Sequence, residues 1–187
     1  MKIFLTLFVL FYSSSALSGD ISDLQIEGMS VGDSLLKFYT KSQINNAPNY
    51  NHLPSDMKFT VIEMPTKGKY DKLQIYYYTN NSDYKIASVG GGIFMDINKC
   101  IKEEKQIVDD ISSELNNVDV YGPIENTHQD DPSGNSYFIR YELEFDGGYA
   151  VIDCYHYSKQ TGWKDHMRIS IVNYDVKKWI NNNYGLN

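Results

Sequence analysis

At 187 residues the chain is long enough for one domain with a substantial core. Hydrophobic residues make up 42% and aromatics 14%, with 16 Tyr and 8 Phe, a load that argues against disorder and favours strands. A formal charge of −7, with no Lys/Arg cluster, leaves no electrostatic footprint for nucleic acid or anionic lipid.

Residues 1–18 read as a secretory leader rather than as part of the fold. Lys2 supplies the positive start, residues 3–12 form an apolar run, and Ala16-Leu17-Ser18 resembles a cleavage site. A membrane span needs roughly 20 apolar residues, so the run is too short to be an anchor. No cysteine follows it to carry a lipid, and no later segment has the length and apolarity of a span. Cleavage removes Lys2 and no acid, moving the formal charge from −7 to −8. Residues 19–187 are then a single exported domain, periplasmic or secreted. In that setting Cys100 and Cys154 are expected to pair, with two buried free thiols as the alternative.

Ser30 with Asp33 resembles a capping box ahead of a short helix carrying Leu35, Leu36, Phe38 and Tyr39. Thr40 is placed to cap a further turn, 41–45, which carries Ile44. Residues 45–54 read as loop. Residues 58–64 alternate as a strand, with Phe59 and Val61 on one face and Ile62 and Met64 on the other. A second strand covers 73–79. A third covers 85–95 and contains Gly90, Gly91 and Gly92, which imply a bulge or a close backbone approach.

Residues 96–118 are the clearest element. Ile97, Cys100, Ile101, Ile107, Val108, Ile111, Leu115 and Val118 recur at helical spacing, with Asp96 placed to cap the start. Residues 119–136 read as a polar loop, either functional or simply mobile. Strands are then expected over 137–145, 149–157 and 166–174, joined by the turns Asp146-Gly147-Gly148 and Gln160-Thr161-Gly162. A closing helix over 176–183 buries Val176, Trp179 and Ile180, with Asp175 as its cap. The short turns imply antiparallel neighbours. The expected fold is α+β, an antiparallel meandering sheet with helices packed on one face, in the order α-βββ-α-βββ-α. If Cys154 meets the central helix, Ala150, Ile152 and His156 share its face, and Val151, Asp153, Tyr155 and Tyr157 point away.

In IEGMSVGDSLL (26–36), SVGGGIFM (88–95), DINKC (96–100) and DCYHYS (153–158) the chain resembles a group of small uncharacterised exported proteins from planktonic marine bacteria. The resemblance extends over most of the mature chain and implies no activity. The GMSVGD opening is also similar to that of helix-plus-meander modules in outer-membrane assembly lipoproteins and β-lactamase inhibitor proteins, which implies fold alone.

The sequence marks no catalytic residue. Asp153, Tyr155, His156, Asp165 and His166 flank one hairpin, but Asp153 and His156 should face opposite sides of their strand. No nucleophile elbow is present. The four histidines lack metal-binding spacing, and residues 129–135 depart from a calcium loop, so no metal or cofactor is expected. The glycine run lacks the Gly-Lys-Ser/Thr of a phosphate loop. What remains is an aromatic surface, Tyr76, Tyr78, Tyr155, Tyr157 and Trp163. The reading is a non-enzymatic module that binds an envelope protein or a small ligand. The alternative is an envelope hydrolase or small-ligand binder with its site near Asp153, His156 and His166.

Overall fold

The computed structural model describes residues 19–49, 58–115 and 118–184. The leader, and the part of the 45–54 loop from residue 50, lie outside the described residues. Two short 3-10 turns, Ile21–Asp23 and Leu35–Lys37, precede α1 (Lys41–Asn45). Then come β1 (Phe59–Met64), β2 (Lys72–Tyr78), β3 (Ile86–Phe94) and α2 (Ile97–Glu114). The second half is β4 (Asp119–Thr127), β5 (Tyr137–Phe145), β6 (Gly148–His156), β7 (His166–Asn173) and α3 (Tyr174–Tyr184).

The seven strands form one sheet in the order β1-β2-β3-β7-β6-β5-β4, with every neighbouring pair antiparallel. Each half is a meander. Helix α2 carries the chain from one to the other, so that the last strand returns beside β3 and closes the two halves into a single sheet. The α+β class and the antiparallel meander therefore stand.

Helix α2 starts where the sequence places it, with Asp96 Oδ1 accepting the N–H groups of Asn98 and Lys99. It lies over β5, β6 and β7 and buries Ile97, Cys100, Ile107, Val108 and Ile111. The N-terminal segment contributes Ile21, Leu24, Met29, Leu35 and Ile44 to the same continuous core, with the turn at Ile21–Asp23 set against β6 and β7. Cys100 and Cys154 are joined as a disulfide, their Cα atoms 5.7 Å apart, which pins the start of α2 to β6.

Four expectations need correction. Residues 119–127 are the edge strand β4, not loop, so the second half has four strands. All nine β4 residues are exposed, which removes the alternation that would have marked a strand. Helix α3 packs on the face opposite α2. Val176 and Trp179 cluster with Phe59, Ala87, Tyr76, Tyr78 and Val172, and Val172 lies an odd number of positions from Met167, the β7 partner of Cys154. The α3 start is capped by Asn173, whose Oδ1 accepts the Val176 N–H, rather than by Asp175. At Ser30–Asp33 only half of a box forms: Asp33 Oδ2 accepts the Ser30 N–H, while Ser30 Oγ donates to Leu24 O.

Candidate binding site

Helix α3 covers one end of the sheet face opposite α2. The other end is open, and strand register determines what it displays. Directly opposed residues form rows across the sheet. One row is aromatic: Phe138 on β5, Tyr155 on β6, His166 on β7 and Phe94 on β3. Its rings touch in sequence, with centroids 5.5, 4.8 and 6.2 Å apart. The next row is Arg140, Asp153, Arg168 and Gly92. The one after includes Ser170, Gly90 and Gln74.

Two loops complete the site. The β6–β7 turn is clamped at its base by Asp165, which accepts the Tyr157 N–H at 2.8 Å and contacts His156 Nδ1 at 3.0 Å. The turn holds Trp163 against Tyr157, with centroids 5.1 Å apart and planes 83° apart. The loop after β4 is organised by Asp131. Its carboxylate accepts from Ser133 N, Ser136 N and Ser136 Oγ, and these bonds hold its pKa well below the usual carboxylate range. Ser136 Oγ in turn accepts the Ser158 N–H, tying the loop to the turn. This delivers His128 to Tyr157 and Trp163, at 5.2 and 5.6 Å.

Between Phe94 and Trp163 lies a cavity of about 410 Å³. Its walls combine the rings of Phe94, Tyr157, Trp163 and His166 with charged side chains, and its floor is Gly90 and Gly92. The missing side chains make the space. A Cβ on Gly92 would meet only Met167 O, at 4.0 Å, whereas one on Gly90 would collide with Ser170 Oγ at 2.4 Å. Arg168 uses that bare floor to lie across β3, its Nη2 donating to Gln74 Oε1 and its Nε to Ser170 Oγ. The glycine run is thus a close-approach surface within a continuous strand. The register shift in this part of the sheet falls between Tyr76 and Tyr77.

Burial pushes the Tyr157 hydroxyl up to about 12 and raises Tyr155 as well, so both remain neutral phenols near neutral pH. It lowers the His166 pKa, favouring the neutral imidazole. These groups present polarised ring edges and faces rather than charge.

The five residues of the expected aromatic surface separate into two groups. Tyr155, Tyr157 and Trp163 come together in the open site. Tyr76 and Tyr78 share the same sheet face but are engaged by α3. Tyr78 donates its hydroxyl to Asp175 Oδ2 at 2.9 Å, and its ring packs tilted against Phe59 with centroids 5.0 Å apart. Phe94, Arg168, Gln74 and His128 are members that the sequence did not single out. The glycine run was their only local signal. Asp153 and His156 do point to opposite faces, and Asp153 is bound by Arg140 through two hydrogen bonds of 2.6 and 3.1 Å. His166 shares the face of Asp153. Among the described residues no group of three His, Cys, Asp or Glu side chains is placed to hold a metal ion. No described helix is long and apolar enough to cross a membrane.

In comparisons with protein-family models, curated proteins and solved structures nothing matches the chain, so its functional reading rests on the geometry of this aromatic cleft.

Proposed function

We propose that the protein is an exported, non-enzymatic module that binds a small ring-bearing ligand on the open face of its sheet. One observation carries this reading. Trp163 and Phe94, 50% and 48% exposed, border a cavity large enough for such a ligand, over a glycine floor that Arg168 crosses. Large rings left half in water beside a preformed cavity are the usual makings of a small-molecule site. The leader-like start and the disulfide support export. The commitment of Asp153 to Arg140 weighs against the hydrolase alternative.

A thermal-shift screen of sugars and small metabolites tests the reading, because a ligand of the folded state raises the melting temperature. Gly92→Leu is the control. Its side chain enters open space, so the variant should fold and lose the shifts seen with the native chain. A ligand that stabilises both proteins equally binds elsewhere.

A second reading, a protein partner, is favoured by the edge strand β4. Its Val120, Tyr121 and Ile124 are exposed beside an unpaired strand edge. Native crosslinking with mass spectrometry tests it. Crosslinks concentrated on β4 would favour this reading, and crosslinks around Trp163 would not.

A further inference from the structure

We infer that the ligand of this cleft is an acid: a ring-bearing small molecule whose carboxylate is held by Arg168 while a face of its ring lies against Trp163 and Phe94. The inference rests on the small-ligand reading above and adds the charge of the ligand.

The chain as a whole is acidic, with 24 Asp and Glu against 17 Lys and Arg. The cleft reverses this balance, with Lys72, Lys164 and Arg168 facing Glu63 and Asp71. Both carboxylates already have partners. Glu63 pairs with Lys72 at 3.4 Å, and Asp71 Oδ2 accepts the Phe94 N–H at 2.7 Å. The charge they leave over is cationic. Lys164 lies at the rim, its Nζ 5.6 Å from the Phe94 ring centroid.

Arg168 is the anchor because of what holds it. Its guanidinium donates to neutral oxygens, Gln74 Oε1 and Ser170 Oγ, which orient it without neutralising it. Asp153 stands opposite Arg168 in the sheet, but both of its oxygens are engaged by Arg140. The Tyr155 and Tyr157 phenols stay protonated and add no negative charge. A guanidinium has five N–H donors in a planar fork, and two are used here. The remainder suit the two oxygens of a carboxylate, a pairing in which hydrogen bonding and charge act together. Fixing the fork in advance also lowers the ordering cost of binding.

Two kinds of molecule share this chemistry, sugar acids and aromatic acids. The test pairs each acid with a neutral counterpart: galacturonate with methyl galactoside, and phenylacetate with phenylacetamide. Titration calorimetry on the native chain should show at least one acid binding about tenfold or more tightly than its neutral partner, the scale of a charge-assisted hydrogen bond. The acid that binds identifies the ring source. Arg168→Gln should erase the preference. Should that variant fail to fold, Lys164→Gln at the exposed rim should reduce the preference, and added salt should weaken the acid but not the amide. Equal binding of acid and neutral partner overturns the inference while leaving the cleft as the site. Absence of binding by all four probes overturns the inference and the small-ligand reading together.

Discussion

The Tyr70 ring occupies the position where a side chain on Gly91 would begin. A Cβ at Gly91 would lie 2.2 Å from Tyr70 Cδ1. Gly91 faces the α2 side of the sheet, and Tyr70 is buried there at 6% exposure, its hydroxyl pushed up to about 12 by burial. Gly91→Ala should therefore destabilise the fold by about 1–3 kcal/mol through overpacking. Urea unfolding would show it as a lower midpoint at unchanged slope. Gly92→Ala, with open space above it, should be close to neutral. Combining Gly91→Ala with Tyr70→Ala should give less than the sum of the two losses, because the collision is relieved.

The disulfide is expected to carry much of the stability of the α2–sheet junction. Cys100 and Cys154 are 54 positions apart, and closing a loop of that size is worth roughly 4 kcal/mol in the chain-entropy model. A Cys100→Ala, Cys154→Ala double variant should lose stability on that scale. A loss below about 1 kcal/mol, outside the typical range, would mean that the junction is held by packing instead.

Glu104 gives the fold a pH dependence. It lies one turn beyond Cys100 on the buried side of α2, 1% exposed, and its Oε1 has no hydrogen-bond partner among the described residues. Burial, reinforced by the Asp153 charge, raises its pKa from 4.5 to about 8. An acid with a raised folded pKa holds its proton more tightly in the folded state. Its contribution is complete below the unfolded pKa and is lost as pH rises through about 8. Stability should fall by up to about 1.4 kcal/mol per pH unit across that window. Glu104→Gln should flatten the profile in denaturant unfolding followed from pH 4 to 9. An unchanged slope in the variant would assign the dependence to other groups.

The Arg140–Asp153 pair links β5 to β6 beneath the aromatic row. Asp153→Ala would leave a half-buried guanidinium without its carboxylate. Removing one partner of a buried pair costs roughly 3–5 kcal/mol, and the 30% exposure of Arg140 places this case at the lower end. Replacing both residues with apolar ones should recover part of the loss in the same unfolding assay.

Elements with a regular period were legible in the sequence. The spacing of Ile97, Cys100, Ile107, Val108 and Ile111 marked α2, and alternation through Tyr141, Leu143 and Phe145 marked β5. Strand β4 was not legible, because an edge strand exposed at every position has no buried face to impose alternation. The face covered by α3 was equally hidden, since the apolar side of a helix does not say which side of a sheet it meets. The site followed the same division. Tyr155, Tyr157 and Trp163 lie close together in the chain and were seen as a group. Phe94 joins them only through the β3–β7 pairing, a contact between distant segments whose register no local pattern records, and Arg168, though in the same hairpin, takes its place in the site through Gln74 on the distant β2. Tyr76 and Tyr78 were grouped correctly by face, but the rings that α3 covers could not be told from those it leaves open.

The two tryptophans allow the most direct measurement. Trp163 borders the cleft, while Trp179, on the sheet-facing side of α3, is 5% exposed and serves as an internal reference. The indole N–H signals would be followed by NMR as galacturonate or phenylacetate is added to the native chain. The expected result is a saturable shift of the Trp163 signal with Trp179 unmoved, and no shift in Gly92→Leu. A Trp163 signal that stays in place, or that moves equally in Gly92→Leu, would contradict the assignment of this cleft as the binding site.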